Sequence, residues 1–464
     1  MTPMSLLAEQ IAMLDQVPLL ELRGRVTQVR GLALRVVDLP APIGAMVRIT
    51  SGAGKARTIE GEVVGIENDQ VIVMPLGEVA GICCGDCVTS RQHAQIVHTG
   101  RSLLGRVLDG LGRPIDGLGA MLDTTTRPLR PEPIDPLGRP LIDEPLATGV
   151  RAVDALVPLG RGQRVGVFSA PGIGKSTLLG MMARHTAADV SVIGLVGERG
   201  REVRDFVDKI LGPEGLARSV VVVATSDEPA MVRVRAALVA SAIAESFRDE
   251  GLDVLLIMDS VTRFCQAQRQ VGLTAGEPPA TKGYPPSVFS LLPRLLERSG
   301  RTGRGSITGL YSVLVEGDDI TEPISDACRG VLDGHIQLSR SLAEQGHYPA
   351  IDLLGSVSRV AEDVTLADHQ AASKRVLRLV SAYRQVEDLL NIGAYVPGSN
   401  PDFDLAITCK PAIDQLLQQG RHEHSGQGDF TRTKAQLLAL AQRIEQTKKQ
   451  LTKPRQKSAP LPTG

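Results

Sequence analysis

Nine residues in the first half of the chain constrain its fold more than any other stretch. They follow an apolar run at 164–168, precede a helical pattern, and read Ser169-Ala-Pro-Gly172-Ile-Gly174-Lys175-Ser176-Thr177. Glycines let backbone amides curl around phosphate oxygens, and the following helix turns its positive end toward them. The segment therefore predicts a buried strand, a phosphate-binding loop and a helix, in that order.

The residue types in this loop indicate a nucleoside triphosphate bound together with Mg2+. Lysine in such a loop reaches the β- and γ-phosphates, and the hydroxyl that follows it ligates magnesium. One position departs from the usual pattern, because Ser169 stands where the first glycine is expected. The expected nucleotide-binding residues are Gly172, Gly174, Lys175, Ser176 and Thr177.

Two carboxylates follow other apolar runs of the same part of the chain. Asp259 ends the run at 254–258, and Glu198 comes just after the run at 190–196. Ligands of open α/β sheets bind at the carboxyl ends of the strands, so both side chains are expected beside the phosphate loop. Asp259 would then hold the metal, and Glu198 would orient the attacking water. From local pattern alone, Glu198 fits a charged helix start equally well.

The remaining chain divides into stretches of different pattern. Residues 25–97 carry short β-rich runs between glycine-bearing turns and predict a small antiparallel β-barrel or sandwich. Residues 98–375 alternate strand and helix patterns and predict a P-loop core with a parallel sheet. Residues 376–464 are mostly helical in pattern and end in a basic tail, and residues 1–24 are expected to dock on a partner through an apolar stripe. The expected class is α/β, with a barrel before the core and a helical domain after it.

Composition excludes several functions. The chain of 464 residues has 51 basic and 52 acidic side chains, so no global field attracts nucleic acid, and 3% aromatic residues leave few rings for stacking bases. No apolar run approaches the ~20 residues that span a bilayer, and no secretory signal opens the chain. Six irregularly placed cysteines are typical of reduced thiols. We expect a cytoplasmic protein that does not bind nucleic acid.

Further motifs occur in a fixed order around the loop. They are Ala147-Thr-Gly-Val-Arg-Ala-Val-Asp154, Gly197-Glu198-Arg199, Asp259-Ser-Val-Thr-Arg263-Phe264 and, as the most specific, Pro349-Ala-Ile-Asp-Leu-Leu-Gly-Ser-Val-Ser-Arg359. Over about residues 25 to 410 their order and spacing resemble the rotary ATP synthase catalytic-subunit superfamily. Within it, the chain looks like the protein-export ATPases of flagellar and type III secretion systems. The resemblance implies a RecA-like P-loop core that hydrolyses ATP.

The same resemblance implies roles for single residues. Lys175 and Ser176 would bind phosphate and Mg2+, and Asp259 would hold the metal. Glu198 becomes the expected activator of water, because non-catalytic relatives lack this carboxylate. The remaining implied roles are Arg199 and Arg263 near the γ-phosphate, Tyr348 against adenine, and Arg359 as an arginine finger in a neighbouring subunit's site.

The resemblance also implies an assembly with several partners. It predicts a homohexamer whose barrels form a crown and whose helical domains face the membrane proteins of an export gate. A loop at 272–286 resembles the segment that lines the ring's channel, where a coiled-coil stalk protein inserts. A stator-like regulatory protein is expected at the amino-terminal segment, and secretion substrates with their chaperones are the expected cargo. The implied location is cytoplasmic, peripheral at the inner face of the cytoplasmic membrane.

Other functions stay open at this level. Met181-Met-Ala-Arg184 and Ala187-Ala-Asp189 favour the flagellar branch by resemblance, with the ATPase of a virulence-type injectisome as the alternative. An RNA-dependent ring translocase of the termination-factor type shares a β-domain and a P-loop core, and strong stimulation of ATPase activity by single-stranded RNA would identify it. A non-catalytic ring subunit is the third possibility, and the Lys175, Glu198 and Arg359 set argues against it.

Overall fold

The amino-terminal part of the described chain is a closed six-stranded barrel, as predicted. The computed structural model describes residues 21–52, 57–90, 95–315, 322–423 and 430–451. The barrel strands are β1 Leu22–Arg30, β2 Ala33–Val37, β3 Met46–Ser51, β4 Arg57–Glu67, β5 Gln70–Pro75 and β6 Cys87–Ser90. They pair in the order β1-β2-β5-β4-β3-β6, and β6 closes the barrel against β1. Alternate side chains point inward and form an aliphatic core of Val, Leu, Ile and Ala.

A mostly parallel sheet of nine strands forms the centre of the molecule. The remaining strands are β7 Ile96–Thr99, β8 Val107–Asp109, β9 Thr125–Pro128, β10 Pro145–Leu146, β11 Leu159–Gly160, β12 Arg164–Ser169, β13 Val190–Glu198, β14 Ser219–Thr225, β15 Asp253–Asp259, β16 Gly300–Arg301, β17 Ser306–Leu314, β18 Gly334–Leu338 and β19 Ile351–Ser358. The sheet order is β19-β18-β12-β17-β15-β13-β14-β8, with β16 paired to β17. Strands β18 to β8 are parallel, and β19 is antiparallel to β18 at one edge. The predicted parallel sheet is confirmed.

Helices cover both faces of this sheet. Their bounds are α1 Arg151–Leu156, α2 Lys175–His185, α3 Gly200–Asp205, α4 Gly212–Ala217, α5 Ala230–Asp249, α6 Val261–Thr274, α7 Pro286–Leu296, α8 Pro323–Val331, α9 Arg340–Glu344, α10 Ala367–Asn391, α11 Pro401–Leu417 and α12 Phe430–Leu451. Strand β14 shows why both faces of the sheet need a cover. Its Val220 and Val222 belong to the apolar core on one face, and its Val221 and Val223 belong to the core on the opposite face. A strand buried on both faces needs apolar residues at every position, which is why these runs lack alternation.

The carboxyl-terminal part is helical, as predicted. Helices α10, α11 and α12 contact one another and share an apolar core with one face of the sheet. Helix α11 starts where the sequence predicts a break, because the Asn400 side chain accepts hydrogen bonds from the amides of Asp402 (2.9 Å) and Phe403 (3.4 Å). The docking segment predicted for residues 1–24 lies outside the described residues up to residue 20, and its last three residues belong to β1 instead. Of the predicted basic tail, Lys448 and Lys449 belong to α12, and the part from 452 onward lies outside the described residues. None of the described helices is long and apolar enough to cross a membrane.

One helical pattern winds differently from the expectation. The apolar spacing from Val203 to Leu211 predicts a regular α-helix, but Phe206–Leu211 forms a π-helix between α3 and α4. The widened turn still buries Phe206 and Leu211. Phe206 and Leu211 are five residues apart, the spacing of the i→i+5 bonds of a π-helix, so the widened turn brings both to one side of the helix.

The barrel is fixed to the core through a buried acid. Glu62 of β4 is 2% exposed and lies 3.6 Å from Arg235 of α5, carboxylate oxygen to guanidinium nitrogen. A second guanidinium, that of Arg130, lies 3.6 Å from its other oxygen. Burial raises the pKa of Glu62, and the two arginines oppose that rise. The barrel and the core therefore share a buried contact between Glu62 and Arg235, with the half-exposed Arg130 beside it.

Candidate active site

The phosphate loop joins the end of β12 to the start of α2. Gly172 and Gly174 have positive φ angles of +83° and +92°, which residues with side chains rarely adopt. A Cβ atom placed on Gly174 would lie 3.6 Å from the ring of Tyr348, so this ring is a direct neighbour of the loop. Helix α2 begins at Lys175, so its first amides face the loop. The predicted strand, loop and helix are all present and form a cradle for an anion.

Lys175 pairs with the carboxylate at the end of the neighbouring β15. Its Nζ lies 2.7 Å from Oδ1 of Asp259, and the two side chains are 11% and 3% exposed. Asp259 is the last residue of β15, which brings it to the same sheet edge as the loop. A buried pair in this geometry holds both side chains in place.

Glu198 is the last residue of β13, next to β15 in the sheet. Its pKa is raised to about 7, first by burial and then by the negative charge of Asp259, while Lys175 opposes the rise. A carboxylate with a pKa near neutrality is suited to accept a proton from water. The sheet thus brings Lys175, Asp259 and Glu198 together from positions as much as 84 residues apart.

The oxygen donors at this edge fit a magnesium ion. The Ser176 side chain belongs to an exposed residue in the first turn of α2, and Asp259 supplies a carboxylate. Mg2+ prefers such oxygen ligands and is usually bound by one or two protein groups together with phosphate and water. In the described part of the chain no three His, Cys, Asp or Glu residues cluster as a metal site. Any ion here would therefore depend on the nucleotide for further ligands.

The two arginines expected near the γ-phosphate differ in placement. Arg263 lies in the first turn of α6 and packs against Gly197, where a Cβ atom would approach within 2.8 Å of the Arg263 Cβ. The φ of +75° at Gly197 further restricts that position to glycine. Arg199 instead is 74% exposed in its side chain and pairs with Glu202 at 2.7 Å. The structure brings Arg263 to the Glu198 segment and turns Arg199 toward solvent.

A largely apolar pocket of about 310 Å³ lies beside the phosphate loop. Tyr348, which is 47% exposed, lines it together with Pro349 and Ala350. The remaining lining residues come from the loop, α2, β18 and a carboxyl-terminal segment, namely Ile173, Gly174, Thr177, Leu178, Met181, Leu338, Gln419, Gly420 and Arg421. Its size, apolar walls and exposed ring suit a nucleotide base.

Sequence reasoning missed the carboxyl-terminal side of this pocket. Gln419 is 4% exposed, and its backbone amide donates to the carbonyl of Tyr348 at 2.9 Å. Its side-chain amide donates to Gly149 O at 2.8 Å and accepts from the amide of Arg151 at 2.9 Å. These partners lie 268 and 270 residues away along the chain, and no local motif marks them.

Arg359 lies at the opposite end of the parallel strands from the phosphate loop, where β18 and β12 begin. It follows β19, and its backbone amide donates to Asp333 O at 3.0 Å, just before β18 and level with Arg164 at the start of β12. The phosphate loop begins after the six residues of β12, a span of about 20 Å at roughly 3.3 Å per residue. That span exceeds the length of an arginine side chain, so Arg359 cannot reach the phosphate loop of its own chain.

A phosphate loop after a central parallel strand, with carboxylates at the neighbouring strand ends and a base pocket beside it, defines a P-loop nucleotide-binding protein. Matches to protein-family models identify the family within this class. Residues 149–358 match the nucleotide-binding domain of the ATP synthase alpha/beta family, 26–91 match its beta-barrel domain, and 365–439 match the T3SS EscN ATPase C-terminal domain. The chain belongs to the ATP synthase alpha/beta family of ATPases and, within it, to the flagellar and type III secretion branch.

Individual relatives agree with this assignment. The chain is 49% identical to the flagellum-specific ATP synthase of Pseudomonas aeruginosa over 422 residues, 90% of this chain and 94% of the relative. It is 48% identical to the type 3 secretion system ATPase of Xanthomonas euvesicatoria over 396 residues, 85% and 89% of the two chains. Among solved structures, the assembled ATPase EscN in complex with its central stalk EscO, from the enteropathogenic E. coli type III secretion system, matches with a TM-score of 0.82 and 42% identity. That match covers 90% of this chain and all of that one.

Proposed function

We propose that this chain is the Mg2+-dependent ATPase of a flagellar-type protein export apparatus. The observation that carries the proposal is the meeting of Lys175, Asp259 and Glu198 at the carboxyl edge of the sheet, next to a pocket suited to a base. The flagellum-specific relative supports the flagellar branch. ATP hydrolysis would drive the release, unfolding and export of secretion substrates.

The proposed chemistry divides among the residues of this edge. When bound, Mg2+ supplies positive charge that neutralises phosphate oxygens as the γ-phosphoryl group leaves, and Ser176 and Asp259 would hold it. Lys175 adds a second positive charge at the β- and γ-phosphates. Glu198 orients the attacking water and accepts its proton, and Arg263 supports the developing charge from α6. In this geometry, catalysis consists of positioning and electrostatic stabilisation.

A homohexameric ring completes the proposed site. Arg359 lies too far from its own phosphate loop, so it would act in the site of a neighbouring copy. EscN, a relative in this family, is assembled in its solved structure and is bound to its stalk EscO. We therefore propose a ring whose channel is lined by the loop at 272–286 and receives a coiled-coil stalk protein. Turnover would then require assembly.

The remaining partners and the location belong to the same proposal. The helical domain would face export-gate membrane proteins, and the amino-terminal segment would bind a stator-like regulator. Chaperones would deliver the substrates. The protein would act in the cytoplasm, peripherally at the inner face of the cytoplasmic membrane.

Complementation distinguishes a flagellar ATPase from the ATPase of an injectisome. The parent chain and its Glu198→Gln variant are expressed in a strain that lacks its flagellar ATPase, and swimming and hook-protein export are measured. The parent should restore both and the variant neither. The ATPase of a virulence injectisome is the second candidate, supported by the Xanthomonas relative. Restored effector secretion in an injectisome mutant, without restored swimming, would favour it.

Two assays test the reaction itself. ATP hydrolysis should require Mg2+ and should stop when EDTA removes it. Hydrolysis should also be insensitive to single-stranded RNA, and strong RNA stimulation would instead support an RNA-dependent translocase.

A further inference from the structure

The motif at residues 147–154 contributes none of the side chains that the proposed chemistry uses, yet it forms a tightly bonded turn. Asp154 of α1 is 1% exposed and accepts hydrogen bonds from the amide and the hydroxyl of Thr148, at 2.8 and 2.7 Å. It also accepts one from the amide of Gly149 at 3.2 Å. A Cβ atom on Gly149 would lie 2.3 Å from that of His185, so the turn packs directly on α2. The backbone of Gly149 is therefore fixed in position.

This turn binds Gln419, which comes from the other end of the chain and forms part of the wall of the base pocket. The buried side-chain amide of Gln419 donates to Gly149 O at 2.8 Å and to Glu423 O at 3.2 Å. Its carbonyl oxygen accepts from the amide of Arg151 at 2.9 Å. Both hydrogens of the amide thus have protein partners. The side chain is suited to hold the pocket wall rather than to recognise a base.

Arg151 makes a second attachment between the same parts of the chain. Its Nε donates to Leu416 O at 3.0 Å, and its guanidinium also bonds to Gln418 O and pairs with the carboxylate of Glu423. Leu416 lies in the last turn of α11, where carbonyl groups have no partner within the helix. The motif therefore binds both the end of α11 and the segment that follows it.

The series of bonds ends at the ring expected to contact the base. The backbone amide of Gln419 donates to Tyr348 O at 2.9 Å, and both residues line the pocket beside the phosphate loop. A continuous path of hydrogen bonds thus runs from Asp154 through Gly149 and Gln419 to Tyr348. Bonds between buried groups are costly to break, because the groups that lose a partner cannot be compensated by water.

We infer that the motif at 147–154 is a brace that positions Tyr348 through Gln419, and that Gln419 is a positioning residue for ATP binding. The inference rests on the proposed function, since ATP is the ligand whose base the ring would contact. A pocket wall made of two distant segments retains its shape only while these segments are held together. A wall that is held in place before the ligand arrives also loses less conformational entropy when the base binds.

The experiment uses the full chain with Gln419→Ala. KM and kcat are measured with MgATP, and magnesium tripolyphosphate, which has the three phosphates but no base, is titrated as a competitive inhibitor. KM for ATP should rise about tenfold, in the range expected when a buried hydrogen-bonding side chain is removed. We expect kcat to change less than about twofold. The inhibition constant of tripolyphosphate should stay the same, because the sheet holds the phosphate loop independently of the brace.

A second variant tests whether the motif acts through Gln419. Thr148→Val removes the hydroxyl that donates to Asp154 and should raise KM for ATP about threefold. Combined with Gln419→Ala, it should raise KM no further, because two residues in one path do not act additively. Gln415→Ala is the matched control, since it removes an exposed glutamine from the same last turn of α11 and should leave KM unchanged.

Three results would overturn the inference while leaving the ATPase proposal intact. They are an unchanged KM for ATP in Gln419→Ala, an equal loss of affinity for ATP and tripolyphosphate, and additive effects in the double variant. A parent chain without Mg2+-dependent hydrolysis would instead contradict the proposed function. Thermal unfolding checks that every variant is folded. If Gln419→Ala is not, Gln419→Glu takes its place with the same expectation, because it retains the side chain's volume and its acceptor for Arg151 but cannot donate to Gly149.

Discussion

The two ends of the candidate nucleotide site are built in different ways. At the phosphate end, Lys175, Glu198 and Asp259 stand at strand or helix ends and are placed by the backbone of one sheet. At the base end, Tyr348 and Gln419 come from separate parts of the chain and are joined by one backbone hydrogen bond. The residues of the phosphate end are thus fixed by one sheet, and those of the base end by contacts between distant segments. We expect changes at the first end to lower kcat and changes at the second to raise KM.

Among these variants, Glu198→Gln should cause the largest fall in kcat. The amide retains the shape of the side chain but cannot accept a proton, so kcat should fall by about 10²- to 10⁴-fold. Binding of a fluorescent ATP analogue should change little. Steady-state turnover and analogue titration on the same preparation measure both. Turnover equal to the parent's would mean that Glu198 has no catalytic role.

Lys175→Ala should lower kcat by about 10²- to 10³-fold, in the range found when one charge-stabilising donor is removed. It should also destabilise the fold by about 3 to 5 kcal/mol, because Asp259 would remain buried without its partner. Urea unfolding and turnover measure the two effects. The double variant Lys175→Ala with Asp259→Ala should regain stability but not activity. If the single variant is as stable as the parent, the ion pair does not hold the site.

The pH dependence of kcat/KM tests the electrostatics of the phosphate end. The pKa of Glu198 is raised to about 7, so its active carboxylate form increases with pH through neutrality. Between pH 6 and pH 8 the ionised fraction grows about tenfold, and kcat/KM should rise by the same factor. A profile that is flat over this range would contradict the assignment. The raised pKa also means that folding favours the protonated form, so this group's contribution to stability falls as pH rises from about 4.5 to 7.

Tyr348→Ala tests the base end and should have the smallest effect. Loss of one stacking ring should raise KM for ATP about tenfold, in line with stacking contributions of about 1 to 3 kcal/mol, while kcat changes less than about twofold. Tyr348→Phe retains the ring and should behave like the parent. A fall in kcat without a change in KM would mean that the two ends are not separable.

The same difference explains what the sequence could predict. The phosphate end was predictable because a short motif and the ends of apolar runs mark it, and parallel strands bring their carboxyl ends to one edge. The barrel, the parallel core and the helical end were predictable from changes in hydrophobic spacing. Gln419 was not, because its contacts with Gly149 and Arg151 join residues more than 260 positions apart.

The buried acid between barrel and core has a mechanical consequence. Sliding the barrel across α5 would separate Glu62 from Arg235 and Arg130, and a buried charge without a partner costs about 3 to 5 kcal/mol. Small rotations of the barrel are therefore resisted by electrostatics as well as by packing. The contact therefore couples the barrel to the P-loop core, so that a rotation of one would turn the other.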